Sequence, residues 1–365
     1  MIDKMRIVFT CGGTGGHIFP AIAIAEAFLK KYKKDVRIIF IGSDTGMEKN
    51  IIKDYGFEYY SITARPFLRK FTFKNILNIF FIINAFFKSF LILRKIKPDF
   101  VIGTGGYVSF PVILVAIFIR KKTCIHEPNV YPGLANRILA KFVDIITVGF
   151  SKTKDYFPKK KVYITGNPVR ESILNIKRNF ARKKFKLDLK KPTLLIMPGS
   201  RAAHNINEVL LNGFVDLIKA IKEIQIIWMT GEKDYENIKN KLKGYKNVRV
   251  FNFIKNAGIA YAASDAGILR AGASTLSEIV ALNFPAILIP YPYATDNHQE
   301  KNAQIFEKNK MAIVIKDKEL TSEKLIKNIK IILNKKNNNA LRKKMKGLFV
   351  KNSAEKIRDI LLKVA

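Results

Sequence analysis

At 365 residues the chain is long for one ordinary core and suits two α/β domains. Its 65 Lys and Arg against 29 Asp and Glu give a net charge of +36, a field that favours polyanionic surfaces, and two distant cysteines in apolar runs exclude a disulfide framework. No zinc-finger spacing, aromatic RNA-reading signature or arginine-rich tail accompanies the charge, so no nucleic acid is expected as partner and an acidic membrane surface is the better match. The lysines also have a plainer reading, an AT-rich composition in which Lys, Ile, Asn and Phe rise together.

Residues 6–10 and 36–41 are apolar runs of strand length separated by a helix-like stretch at 18–33, a βαβ opening with no charged-then-apolar leader before it. Further strands are predicted at 59–63, 100–102, 123–125 and 145–148, with helical stretches between them. Gly166-Asn167-Pro168 then breaks the pattern, and the basic, polar stretch 177–191 reads as a linker. A second series of strands is predicted at 193–197, 225–229, 248–251, 266–269, 286–289 and 312–315, followed by helices at 322–333, 340–348 and 354–362. Such continuous Ile/Val/Leu runs suit parallel strands buried on both faces. The lysine and asparagine run at 335–339 reads as compositional bias.

Two glycine-rich turns, Gly12-Gly13-Thr14-Gly15-Gly16-His17 and Gly103-Thr104-Gly105-Gly106-Tyr107, each join an apolar run to a helix-like segment. Glycines let the backbone approach a ligand, and the following helix N-terminus aims N–H groups and partial positive charge at an anion. Built twice, the device points to a diphosphate. His17 would open the first helix, where the dipole favours the neutral imidazole that a general base needs; capping the turn is its structural alternative. The strand at 123–125 runs into His126-Glu127-Pro128-Asn129, placing Glu127 and Asn129 beyond a strand end where ligands gather, while His126 reads as a structural partner of a carboxylate.

The second half repeats the logic. Pro198-Gly199-Ser200-Arg201 ends its first strand with a hydroxyl and a planar cation, and Arg270-Ala271-Gly272-Ala273-Ser274-Thr275-Leu276-Ser277-Glu278 ends another in small residues. Small side chains admit a phosphate to the backbone, and Glu278 can accept hydrogen bonds from ribose hydroxyls, although Ser-Thr followed by Glu is also an ordinary capping pattern. The polar stretch 296–302 follows the next strand. Residues 67–93 form an apolar stretch with basic flanks, interrupted by Asn78, Asn84, Lys88 and Ser89 on one broad helical arc. An interfacial helix with its apolar side in the bilayer and its basic ends on headgroups is the preferred reading, with a core helix and a membrane span as alternatives.

Together the two glycine turns with the Ile18-Phe19-Pro20-Ala21 and Val108-Ser109 continuations, His126-Glu127-Pro128-Asn129, Gly166-Asn167-Pro168-Val169-Arg170 and the 273–278 run resemble, in order and over nearly the whole chain, the MurG family of bacterial N-acetylglucosaminyltransferases. Where the family usually has Gly-Gly-Ser followed by Gln-Gly-Ala, the chain departs from it, reading Pro198-Gly199-Ser200-Arg201-Ala202-Ala203. The resemblance implies a GT-B fold: two Rossmann-like α/β domains with parallel sheets facing across a cleft, 1–168 binding acceptor and membrane with help from a helix at 350–365, and 169–349 binding the UDP-sugar donor.

It also implies an inverting transfer of N-acetylglucosamine from UDP-GlcNAc to the C4 hydroxyl of undecaprenyl-linked lipid I, giving lipid II, at the cytoplasmic face of the membrane on anionic lipids of the inner leaflet. Carried over by residue, the donor falls on Thr14, Gly15, Gly16, Asn129, Arg170, Ser200, Ile254, Ala273, Ser274, Thr275, Leu276, Ser277, Glu278 and Gln299. Uracil meets the Ile254 backbone. The acceptor diphosphate falls on Gly13, Gly105, Gly106 and Tyr107, and His17 and then Glu127 are the candidate bases. No Asp-x-Asp occurs, so no metal or other cofactor is expected. A lipid A disaccharide synthase-like or diacylglycerol glycosyltransferase, or a non-catalytic nucleotide-sugar scaffold, is the alternative.

Overall fold

The computed structural model describes residues 4–65, 73–199 and 204–364, except the side chains of 73–79 and 160. Two compact units emerge, Met1–Arg170 with Val350–Ala365, and Glu171–Phe349.

In the first unit β1 (Met5–Thr10), β2 (Val36–Ser43), β3 (Glu58–Ile62), β4 (Phe100–Gly103), β5 (Lys122–Glu127), β6 (Ile145–Val148) and β7 (Val162–Ile164) form one parallel sheet of order β3-β2-β1-β4-β5-β6-β7. Alternate residues of each strand feed two cores. Val8, Ile39, Val101, Ile125 and Ile146 pack on one face, and Ile7, Phe9, Phe40, Ile102 and Cys124 on the other, which is why the strands read as unbroken apolar runs. The helices are α1 (Gly15–Tyr32), α2 (Glu48–Asp54), α3 (Phe73–Ile96), α4 (Ser109–Phe118) and α5 (Leu134–Leu139). β7 was not anticipated, because three residues carry no periodicity.

The second unit carries β8 (Thr193–Met197), β9 (Gln225–Met229), β10 (Val248–Phe251), β11 (Ala266–Leu269), β12 (Ala286–Leu288) and β13 (Ile313–Val314), again all parallel, in the order β10-β9-β8-β11-β12-β13. Its helices are α6 (Arg178–Lys184), α7 (His204–Asn212), α8 (Phe214–Ala220), α9 (Glu232–Lys241), α10 (Ala257–Ala263), α11 (Ala273–Ala281), α12 (His298–Lys308), α13 (Ser322–Leu333) and α14 (Lys335–Met345). The last helix, α15 (Ser353–Val364), belongs to the first unit, where Ile357 and Leu361 join the α1 core and Arg358 donates to the Ala27 carbonyl at 3.0 Å.

Three sequence expectations are corrected. The stretch 177–191 is not a linker: α6 lies within it, and Arg182 is fully buried, donating to Asp265 at 3.0 Å and to the carbonyls of Ala263 and Asp188 at 3.1 and 2.8 Å. Its guanidinium finds acceptors across the fold that local composition does not reveal. The helix expected at 340–348 starts earlier: the biased 335–339 tract opens α14, capped by the Asn334 side chain, which accepts from the N–H groups of Lys336 and Asn337. Ser89 does not share the polar arc of α3, being buried with its hydroxyl on the Ala85 carbonyl at 2.6 Å.

In α3, Ala85, Ser89, Leu93 and Ile96 face the protein, while Phe80, Ile83, Phe87 and Leu91 are 50–69% exposed on a second stripe. That is a contiguous apolar surface of the kind that marks an interaction face. No described helix is long and apolar enough to cross a membrane. Of the expected basic flank, residues 66–72 lie outside the described residues, and Arg65 is committed to Asp44 at 2.8 Å.

Candidate active site

In each sheet the first and fourth strands in chain order are neighbours. Thr10 pairs with Gly103 at the ends of β1 and β4, and Met197 with Leu269 at the ends of β8 and β11. The chain reverses its direction of winding there, and the loops leaving such a pair diverge to open a ligand crevice. The four predicted loops therefore lie at the two reversal points.

In the first unit the glycine turns are fastened to each other. The Thr104 hydroxyl donates to the His17 carbonyl at 2.6 Å, and His17 Nδ1 lies 2.9 Å from the Thr104 carbonyl oxygen. A carbonyl only accepts, so Nδ1 carries the proton in this contact, and in the neutral ring Nε2 is the nitrogen that accepts. Gly105 and Gly106 have φ of +105° and +89°, and a Cβ on Gly105 would sit 2.6 Å from His17 Nδ1, while one on Gly106 would overlap the Gly12 carbonyl. Both conformation and close approach demand glycine here. The Ser109 hydroxyl, at the start of α4, lies 2.9 and 2.8 Å from the carbonyls of Thr10 and Gly105, and the Tyr107 ring lies over Gly13. Thr14, in extended backbone, leads into α1 at Gly15 and Gly16.

The β5 end is a buried polar cluster. Glu127 is 1% exposed, and its oxygens accept from the Asn129 N–H at 2.9 Å, the Asn129 and Asn136 amides at 3.1 and 2.8 Å, and the Gly133 N–H at 3.1 Å. Burial raises its pKa against those donors. The expectation that His126 pairs with a carboxylate is corrected: Nδ1 lies 3.0 Å from the Thr147 hydroxyl and Nε2 3.0 Å from Asn167 Oδ1, and burial pushes the imidazole pKa down to about 4. Adjacent strand residues point to opposite faces, so His126 and Glu127 cannot face each other. Arg170 is buried over the Phe19 ring, 3.6 Å from its centroid, and donates to the Tyr55 hydroxyl at 3.1 Å.

In the second unit the 273–278 run opens α11, with Gly272 in extended backbone before it. Ser274, Thr275 and Ser277 are half-buried; Ala273, Leu276 and Glu278 are buried. Leu276 has least to offer a ligand, since its side chain is in the interior and its N–H bonds the Gly272 carbonyl at 3.0 Å. Glu278 Oε2 accepts from the Tyr261 hydroxyl at 3.1 Å, and Gln299 Oε1 accepts from the Tyr291 N–H at 3.0 Å. Ile254 lies half-buried between β10 and α10, and Ser200 lies outside the described residues.

Sequence reasoning missed Thr104 as an orienting group, Tyr261, and the pair formed by Arg270 and Asp317. Arg270, just past β11, is bonded to Asp317 and also to the carbonyls of Ile289 and Pro290 at 3.2 and 3.3 Å, fixing the loop that carries Tyr291. No spacing rule links positions so far apart in the chain.

Residues 7–148 match the glycosyltransferase family 28 N-terminal domain and residues 193–358 its C-terminal domain. The crystal structure of Acinetobacter baumannii MurG superposes with a TM-score of 0.75 at 26% identity, over 98% of this chain and 99% of that one. A Halothermothrix orenii protein named UDP-N-acetylglucosamine--N-acetylmuramyl-(pentapeptide) pyrophosphoryl-undecaprenol N-acetylglucosamine transferase is 44% identical over 340 residues, covering 90% of this chain and 91% of that protein. The chain belongs to the MurG family. A MurG relative of the same name from Caldanaerobacter subterraneus subsp. tengcongensis is 39% identical over 98% of this chain and 99% of its own length. The fold is accordingly of the GT-B type, α/β with a parallel sheet in each of two domains, and the protein is a glycosyltransferase.

Proposed function

We propose that the protein transfers N-acetylglucosamine from UDP-GlcNAc to the muramyl sugar of lipid I, producing lipid II for peptidoglycan, with the first unit serving the acceptor and the second the donor. The full-length relatives at 44% and 39% identity carry the reaction class, and disfavour the lipid A and diacylglycerol alternatives and an inactive scaffold. The observation that carries the chemistry is the 2.9 Å contact between His17 Nδ1 and the Thr104 carbonyl oxygen, which in the neutral ring leaves Nε2 to accept a proton.

In this reading Nε2 removes the proton of the acceptor C4 hydroxyl as its oxygen bonds to the anomeric carbon. The anomeric C–O bond breaks with inversion, and UDP leaves with the electron pair. Glu127, whose oxygens already take four N–H donors, serves better to hold the Asn129 loop than to accept a proton. Glu278, itself oriented by Tyr261, takes the ribose hydroxyls, and the start of α11 takes the diphosphate through its dipole. No metal is assigned, in keeping with the lack of an Asp-x-Asp sequence. Attachment to the cytoplasmic face runs through Phe80, Ile83, Phe87 and Leu91 of α3, with anionic headgroups meeting the basic end at Arg94 and Lys95.

The test is UDP release by purified enzyme given UDP-GlcNAc and lipid I. His17→Ala should lower turnover about a hundredfold while leaving calorimetric UDP-GlcNAc affinity nearly intact, the range expected for a general base. Turnover unaffected by the substitution removes His17 from the mechanism, and no UDP release by the unaltered enzyme overturns the assignment.

A further inference from the structure

Glu48, the first residue of α2, is entirely buried, and among the described residues its hydrogen-bond partners are backbone amides: Oε1 accepts from the Ser43 N–H at 3.0 Å and Oε2 from the Gly13 N–H at 3.3 Å. Two glycines clear the space for this one carboxylate. A Cβ on Gly12 would lie 2.7 Å from Oε1, and one on Gly46 would overlap the carboxylate itself, while at Gly42 a Cβ would meet the Tyr59 hydroxyl first and then Glu48 Cγ at 2.9 Å. Neither Gly12 nor Gly46 has a left-handed φ, so room rather than backbone conformation excludes a side chain there. Around it, the Tyr59 hydroxyl donates to the Ser43 carbonyl at 2.7 Å. Desolvating a carboxylate costs several kcal/mol. The fold places one beneath the turn that leads to His17, where an apolar side chain would pack without that cost.

Gly13 is the point of leverage. It has φ of +85°, lies under the Tyr107 ring and stands one residue before Thr14, whose carbonyl accepts the His17 N–H at 3.1 Å. We infer that Glu48 is a positioning residue for the transfer: by holding the Gly13 and Ser43 amides it fixes the first glycine turn, and through it the placement of His17 against the acceptor. The inference rests on the reading of the first unit as the acceptor side.

Its test uses the full-length enzyme with UDP-GlcNAc and lipid I. Glu48→Gln keeps the shape but exchanges one accepting oxygen for an NH2 group, and Gly46→Ala pushes the carboxylate aside without touching the turn. Each should lower kcat about tenfold or more with the donor KM within about twofold, because a displacement of about 1 Å at the reacting groups is enough for such a loss. The double variant should be no worse than the weaker single one, and amide exchange should quicken at Gly13 and Ser43 while the rest of the first unit stays protected. If Gly46→Ala does not fold, Glu48→Asp, which retains the charge but shortens the reach, replaces it and should also lose kcat. A folded Glu48→Gln enzyme with unchanged kcat, or losses that multiply in the double variant, overturns the inference. His17→Ala run alongside separates the two failures: if it alone is impaired, only the Glu48 role falls, and if neither is impaired, the acceptor-side reading falls with it.

Discussion

The two units solve the same architectural problem with different fastenings. Each brings the ends of its first and fourth strands together and starts a helix from a loop of small residues. In the first unit the crevice is set by backbone groups and neutral or amide-bound side chains: Thr104 against His17, Ser109 against two carbonyls, and His126 against Thr147 and Asn167. In the second it is braced by Arg270, whose ion pair with Asp317 ties the β11 loop to the segment after β13 and whose bonds to the Ile289 and Pro290 carbonyls reach the β12 loop. In the proposed reading the first site holds one imidazole in one tautomer and gains from partners whose own charge does not change. The second, in the same reading, presents the Glu278 carboxylate to sugar hydroxyls and tolerates a charged brace.

The contrast can be broken at its strongest point. Asp317→Ala removes the counter-charge of the buried Arg270 guanidinium, and should lower unfolding free energy by about 3–5 kcal/mol in urea titration, with the loss falling on the second unit. A loss below about 1 kcal/mol would mean that the brace is not structural.

A smaller effect reads the first unit through pH. Burial holds the His126 pKa at about 4 against 6.5 for the unperturbed group. Between those values the unfolded chain binds a proton that the folded chain refuses, so stability is fully present above pH 6.5 and falls as pH drops towards 4. His126→Gln should flatten that decline by on the order of 2 kcal/mol, measured by denaturation across the window. An unchanged slope would assign the acid sensitivity elsewhere.

Glu278→Gln should weaken UDP-GlcNAc binding about tenfold by calorimetry, the loss of one charge-assisted hydrogen bond, without a matching fall in kcat. If kcat falls instead, the second unit contributes to chemistry and the division of labour blurs. The smallest change expected is at α3. Arg94→Gln, which removes one charge, should reduce partition onto phosphatidylglycerol vesicles by roughly fivefold at low salt, and the difference should shrink as salt rises. Partition indifferent to both would detach the membrane role from this helix.

Much of this was legible in the sequence because local periodicity dictates it. Apolar runs bounded by glycine and proline marked strands such as Thr193–Met197 and Gln225–Met229, and glycines at 105 and 106 announced a backbone that residues with a side chain rarely adopt. Weak signals failed where partners were remote or the element short, as with β7, the burial of Arg182 and the commitments of Glu127.

By itself, then, the sequence determined the strand–turn–helix units, the chemistry available at each turn and the family. Only the tertiary structure decided that β4 lies beside β1 and β11 beside β8, that the Thr104 carbonyl meets His17 Nδ1, and that Glu48 fills the space left open at Gly12 and Gly46. The reason is physical: periodicity is a property of neighbours along the chain, whereas strand order, buried hydrogen bonds and close packing depend on residues that become neighbours only when both faces of a sheet are covered at once.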